Sequence, residues 1–122
     1  LLNKNHIKYI GMCDDIPRLL ANSDLFVCSS VSEAGPITVY EAMSMKLPVV
    51  TTDVGASRQI IENFKNGIIV PIKNSSEISH AIEKILTDEF LRKNIASNAY
   101  KFANEFFSLD KIIKQYIEFY NK

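Results

Sequence analysis

Short apolar runs alternate along this chain with segments of helical period. Ile7–Ile10, Leu25–Ser30, Pro48–Asp53 and Gly67–Pro71 are each bounded by turn residues and rich in Ile, Val or Phe, which predicts a buried strand at each. Between them, Asp15–Asn22, Pro36–Lys46 and Ser57–Asn63 are long enough for short helices. The strands are apolar throughout rather than alternating with polar residues, so both faces of the sheet should be covered. That pattern belongs to a parallel sheet.

After Pro71 the pattern is helical to the end. Asn74 stands where an N-cap would, with Glu77 three residues on, and Ile78, Ile82, Ile85 and Leu86 fall on one stripe. A second helix is expected from Glu89 to about Glu105. Ser108 opens a third, whose stripe is Leu109, Ile112, Ile113, Tyr116, Ile117 and Tyr120. The expected fold is α/β, a Rossmann-like parallel sheet sandwiched by helices, partial, with a helical C-terminal tail. With Phe106, Phe107 and Phe119, the last helix carries more apolar surface than one face can bury against so short a domain. The expectation is that the chain either self-associates through that helix or leaves it partly mobile.

Length and charge narrow the reading. The chain has 122 residues, 47% hydrophobic and 23% charged, with formal net charge +0. One domain over Leu1–Lys122 fits that size. Zero net charge argues against nucleic acid, or an anionic membrane, selected by bulk electrostatics. An anion would have to be held locally, by backbone amides or a few side chains. Cys13 and Cys28 are the two cysteines, and without a CxxC or His/Cys cluster they read as reduced thiols of a cytoplasmic protein. There is no signal-peptide pattern and no apolar run of about 18 residues. The first residue is Leu1 rather than methionine, which reads as a piece of a longer chain.

Ligands of open parallel sheets bind outside the carboxyl ends of the strands, so the candidate segments are Gly11–Asp15, Ser29–Gly35 and Asp53–Ser57. The middle one continues as "SEAGPITVYEA", Ser32–Ala42. Pro36 suits the first position of a helix, and Gly35 lets a ligand approach the backbone. The N–H groups of Ile37 and Thr38 are expected to face outward at the positive helix end, a place for phosphate. Glu41, three residues after Thr38, would hang near that anion and suits a vicinal diol such as ribose. Glu33 could grip hydroxyls on the other side. A phosphate between two polyols describes a nucleotide sugar. The plain alternative is two solvated glutamates around an ordinary Gly-Pro helix start.

These residues resemble the group-1 family of retaining glycosyltransferases with the GT-B fold, which includes glycogen synthase-like and polysaccharide or lipopolysaccharide sugar transferases. The likeness rests on two glutamates with seven residues between, Glu33 and Glu41, then Glu41-Ala42-Met43, Pro48-Val49-Val50, Asp53 and Gly55, and Gly67-Ile68-Ile69-Val70-Pro71. Upstream, "YIGMCDDIPRLLANSDLFVCSS" follows the family's strand, turn, helix and strand. The resemblance implies the C-terminal, donor-binding domain of a longer two-domain enzyme. Glu33 would contact donor-sugar hydroxyls as the catalytic residue and Glu41 the ribose, with the backbone at Gly35, Ile37 and Thr38 holding the diphosphate. Gly11 and Met12 would lie against the base. It further implies transfer with retention, no cofactor and no required metal, and an acceptor that is a saccharide or lipid-linked, reached through a preceding domain. The whole protein would be cytoplasmic, or peripheral at the inner face of the membrane.

The chain departs from the family in places. Glu33-Ala34-Gly35-Pro36 stands where the family often has EGFG, and Arg58 and Gln59 fill a region where a glutamate is frequent. The family's basic Arg/Lys pair and its histidine belong to earlier segments, and His6 is no substitute. His80 falls opposite the Ile78–Ile82–Ile85 stripe, on a solvated face. Two other functions compete, a non-enzymatic nucleotide-sugar-binding module and a phosphoacceptor receiver built on Asp53 with Asp14 and Asp15.

Overall fold

The computed structural model describes residues 6–121; Leu1 and Lys122, the ends of the expected domain, lie outside the described residues. Helix α1 (Ile16–Ala21) leads into β1 (Phe26–Cys28), α2 (Ile37–Ser44), β2 (Val49–Thr52), α3 (Ser57–Ile60) and β3 (Ile68–Val70). Three helices follow, α4 (Ser75–Thr87), α5 (Glu89–Phe106) and α6 (Leu109–Tyr120). The strands pair in parallel in the order β1-β2-β3.

The pleat divides the strand residues between two layers, because successive side chains leave opposite faces. Phe26, Cys28, Val49 and Ile69 pack with Val39, Ala42 and Met43 of α2, and with Ile60, Ile61, Ala99 and Ala103. Val27, Val50, Ile68 and Val70 face the other way, onto Ala81 and Ile85 of α4 and Ile95 of α5. Adjacent Val49 and Val50 are both fully buried, one in each layer. This accounts for the apolar strands read from the sequence. The α/β, Rossmann-like expectation, with its helical tail, holds.

Local signals set the helix boundaries. The side chains of Asp15, Asn74 and Asp88 accept from the backbone N–H of Arg18, Glu77 and Leu91 at 3.1, 3.1 and 2.9 Å, each satisfying a donor that a helix start leaves orphaned. At the other end of α2, Leu47 N–H donates to Ala42 O and Lys46 N–H to Met43 O, both at 3.0 Å. Lys46 takes φ 60° between them. This is the Schellman closure that usually employs glycine, and it buries Leu47.

Three expectations need correction. Ile7–Ile10 is not a strand; Ile7 and Tyr9 are exposed, Tyr9 by 93%. A strand exists only through its ladder, and among the described residues no strand lies beside this one. The helix expected over Ser57–Asn63 stops at Ile60. There Ile61 turns extended at φ −106°, ψ 116°, and Asn66 ties the turn by accepting from Glu62 N–H and donating to Ile60 O. Finally, Pro36 is not the first helical residue but the N-cap of α2, with ψ 82°.

Candidate functional site

The three candidate loops leave the carboxyl ends of β1 and β2 and the segment before α1. Around β1 and β2 the chain is closely tied. Thr52, 1% exposed, donates its hydroxyl to the carbonyl of Ser30 at 2.5 Å and also faces that of Cys28 at 3.4 Å. Ser30 in turn donates its hydroxyl to Glu33 Oε1 at 2.5 Å, and Cys28 Sγ lies 3.9 Å from the same oxygen. Glu33 is half-buried. Among the described residues, no hydrogen bond reaches its second oxygen, Oε2.

Gly55 closes this arrangement from below. It sits at φ 49°, and a Cβ there would lie 2.2 Å from the carbonyl oxygen of Glu33 and 2.7 Å from that of Ala34. Only glycine permits that contact, because both the φ and the space exclude a side chain. Gly35 is the opposite case. A Cβ on it would meet nothing within 4 Å, so neither its backbone nor its protein neighbours require glycine.

The start of α2 differs from the expectation. Ile37 N–H is not available, since it donates to Gly35 O at 3.0 Å. With Pro36 at φ −78°, ψ 82°, the link is an inverse γ-turn, and that turn consumes the amide. Val39 N–H returns to Pro36 O at 3.0 Å. No side chain caps the helix, and among the described residues no backbone acceptor takes Thr38 N–H. One of the two expected anion-binding amides therefore remains outward. Thr38 and Ile37 are exposed.

Glu41 is exposed on α2 and lines a groove of about 230 Å³ with Tyr40, Ser44, Asn104, Phe107 and Ser108. The far wall is the turn between α5 and α6, held by Phe107 packing on Tyr40 at a ring distance of 4.0 Å. Burial raises the Tyr40 phenol above its ordinary value. Gly11, at φ 64°, and Met12, 96% exposed, lie in the irregular segment before α1. The structure thus gathers Glu33 with Ser30, Thr52 and Gly55, sets Glu41 on the adjoining helix, and leaves Gly11 and Met12 on exposed backbone.

Two of the three acidic residues of the receiver alternative have other work. Asp15 caps α1. Asp53 holds Arg58 with two hydrogen bonds, from Nε at 2.8 Å and Nη2 at 2.5 Å. The hydrogen bond from Arg58 lowers the Asp53 carboxyl below its usual range and raises the guanidinium further. Among the described residues, no three of His, Cys, Asp and Glu come together as metal ligands. A cavity of about 570 Å³ opens elsewhere, between α3 and α5, lined by Arg58, Lys65, Asn98, Lys101 and Phe102, and it includes none of the predicted site residues. Ser30, Thr52 and the contact at Gly55 were not identified from sequence. A hydroxyl three residues before Glu33 was the available signal, since short polar side chains often bond locally.

Known proteins resemble this chain in sequence and in fold. Residues 1–102 match the model of glycosyl transferases group 1. The chain is 33% identical over 121 residues to the N,N'-diacetylbacillosaminyl-diphospho-undecaprenol alpha-1,3-N-acetylgalactosaminyltransferase of Campylobacter jejuni, covering 99% of this chain and 32% of that protein. It superposes on Anabaena Alr3699/HepE in complex with UDP with a TM-score of 0.93 at 30% identity, over 97% of this chain and 33% of the other. The C-terminal domain of LpcC, a group 1 family protein from Francisella tularensis, gives a TM-score of 0.76 at 31% identity, over 84% of this chain and 53% of the other. The chain spans about a third of the length of the curated relatives it matches. By sequence over most of its length, and by a fold shared with GT-B C-terminal domains, the chain belongs to the group 1 glycosyl transferases.

Proposed function

We propose that the chain is the donor-binding part of a two-domain retaining glycosyltransferase that moves a sugar from a nucleoside-diphosphate sugar to a saccharide or lipid-linked acceptor. The observation that carries this is Glu33, a carboxylate held by one oxygen at the carboxyl end of β1, four residues before the uncapped start of α2. In this reading Oε2 of Glu33 accepts hydroxyls of the donor sugar. The outward Thr38 N–H and the α2 dipole face the diphosphate as it takes up charge. Gly35, with open space where a side chain would be, lets phosphate oxygens approach the backbone. Glu41 accepts from the ribose diol, and the groove it shares with the α5–α6 turn sets the side from which ribose arrives. Gly11 and Met12 lie against the base.

Complexes of the Anabaena protein with UDP and with UDP-glucose support a nucleoside-diphosphate sugar as donor. The lipid-diphosphate acceptor in the name of the Campylobacter relative supports the acceptor class. The test is carried out on the intact protein with UDP and a panel of UDP-sugars. Glu41→Ala should weaken both free UDP and the donor by about ten- to a hundredfold, the worth of a hydrogen bond to a charged group. Glu33→Ala should leave free UDP bound as before and lower turnover. Equal losses of free-UDP affinity in the two variants overturn the assignment.

A further inference from the structure

We infer that Ser30 is the positioning residue of Glu33, and that it fixes which carboxylate oxygen is offered to the donor sugar; this rests on the role proposed for Glu33. A glutamate in a loop ordinarily samples several rotamers, and ordering it costs entropy. Here the ordering is built in. The Ser30 hydroxyl and, more distantly, the Cys28 thiol converge on Oε1. The Ser30 hydroxyl on one oxygen and, among the described residues, no donor on the other orient the carboxyl plane and leave Oε2 without a hydrogen bond.

Ser30 is itself held. Its carbonyl accepts from Thr52, a hydroxyl buried at the end of β2, so its position is referred to the sheet rather than to the loop. The backbone of Glu33 is referred to the same strand end by Gly55, which touches its carbonyl from beneath. Both ends of the Ser30–Glu33 pair are thus fixed to one rigid element, as a group needs when small displacements cost turnover. Placement of this kind acts on the sugar end of the donor and leaves the nucleotide end alone.

The experiment measures kcat and KM for the preferred UDP-sugar, free-UDP affinity by calorimetry and the melting temperature, all in the intact protein. Ser30→Ala should lower kcat/KM by about tenfold, the loss of one charge-assisted hydrogen bond, with free-UDP affinity unchanged. Ser30→Thr, which keeps the hydroxyl, should recover most of the loss. Ser30→Ala combined with Glu33→Ala should be no worse than Glu33→Ala alone, because residues acting as a unit are not additive. If the two losses multiply, or if Ser30→Ala weakens free UDP as much as it lowers turnover, the positioning role is overturned. If Glu33→Ala leaves turnover unaffected, the reading of Glu33 falls instead, and the role of Ser30 falls with it.

Discussion

Helices α4 and α6 have nearly the same length and the same kind of apolar stripe, and they end in different circumstances. Along α4, Ala81 and Ile85 are buried against Val50, Ile68 and Val70 of the sheet, and Ile85 has no exposure at all. Along α6 no residue is buried. Leu109 is 70% exposed and Tyr116 61%, and Tyr120 is met by Tyr116 in a stacked pair and by Phe119 edge-on, all within the same helix. Amphipathic spacing says which face of a helix seeks cover, and says nothing of whether cover lies within the same chain. In α4 that cover is the sheet. In α6 it is not among the described residues.

Breaking the two stripes should separate them most clearly. Ile85→Ala should cost about 2–5 kcal/mol in urea unfolding, the range for deleting a buried aliphatic side chain. Ile117→Ala on α6 should stay within about 0.5 kcal/mol, as exposed positions do. Equal losses at both sites would mean that α6 is packed in solution. The caps sharpen the contrast at a smaller scale. Asn74→Ala removes the bond to Glu77 N–H and should cost about 1 kcal/mol. Ser108 stands at the same position of α6 but makes no side-chain cap bond, so Ser108→Ala should cost clearly less in the same assay.

The smallest effect belongs to an exposed contact that neither layer covers, the Asp53–Arg58 pair. Its hydrogen bond lowers the Asp53 pKa from 3.8. A carboxylate with a lowered folded-state value contributes stability that is fully present above the unfolded value and lost as pH falls through the folded one. The destabilisation by Arg58→Ala, measured by thermal melts, should therefore be constant at neutral pH, fade below about pH 3.8 and shrink in high salt. A difference that grows on acidification would contradict the pairing.

What the sequence made legible follows the same division between local and tertiary causes. The strands Phe26–Cys28, Val49–Thr52 and Ile68–Val70 and the α4 and α5 boundaries were visible, because apolar runs and capping residues are local signals. The strand expected at Ile7–Ile10 failed for a non-local reason, since among the described residues its four residues have no ladder to join. The spacing of Glu33 and Glu41 around Gly35-Pro36 marked the segment as a candidate, and the structure sets the two glutamates on either side of the α2 start. The γ-turn that consumes Ile37 N–H was not legible, because it depends on a ψ at Pro36 that proline leaves open. Nor was the contact beneath Glu33, because Gly55 lies on a different strand end and meets it only in the folded sheet.

Helix α5 has a mechanical consequence. At 18 residues it is a rod about 27 Å long, and it is embedded in both layers, Ile95 in one core and Ala99 and Ala103 in the other. Neither side of the sheet can loosen without withdrawing its grip on the same rod. The two cores are thereby coupled into one cooperative unit rather than left to melt separately. Amide exchange around Ile95 to Ala103 should be among the slowest in the chain, and should report the global opening rather than a local one.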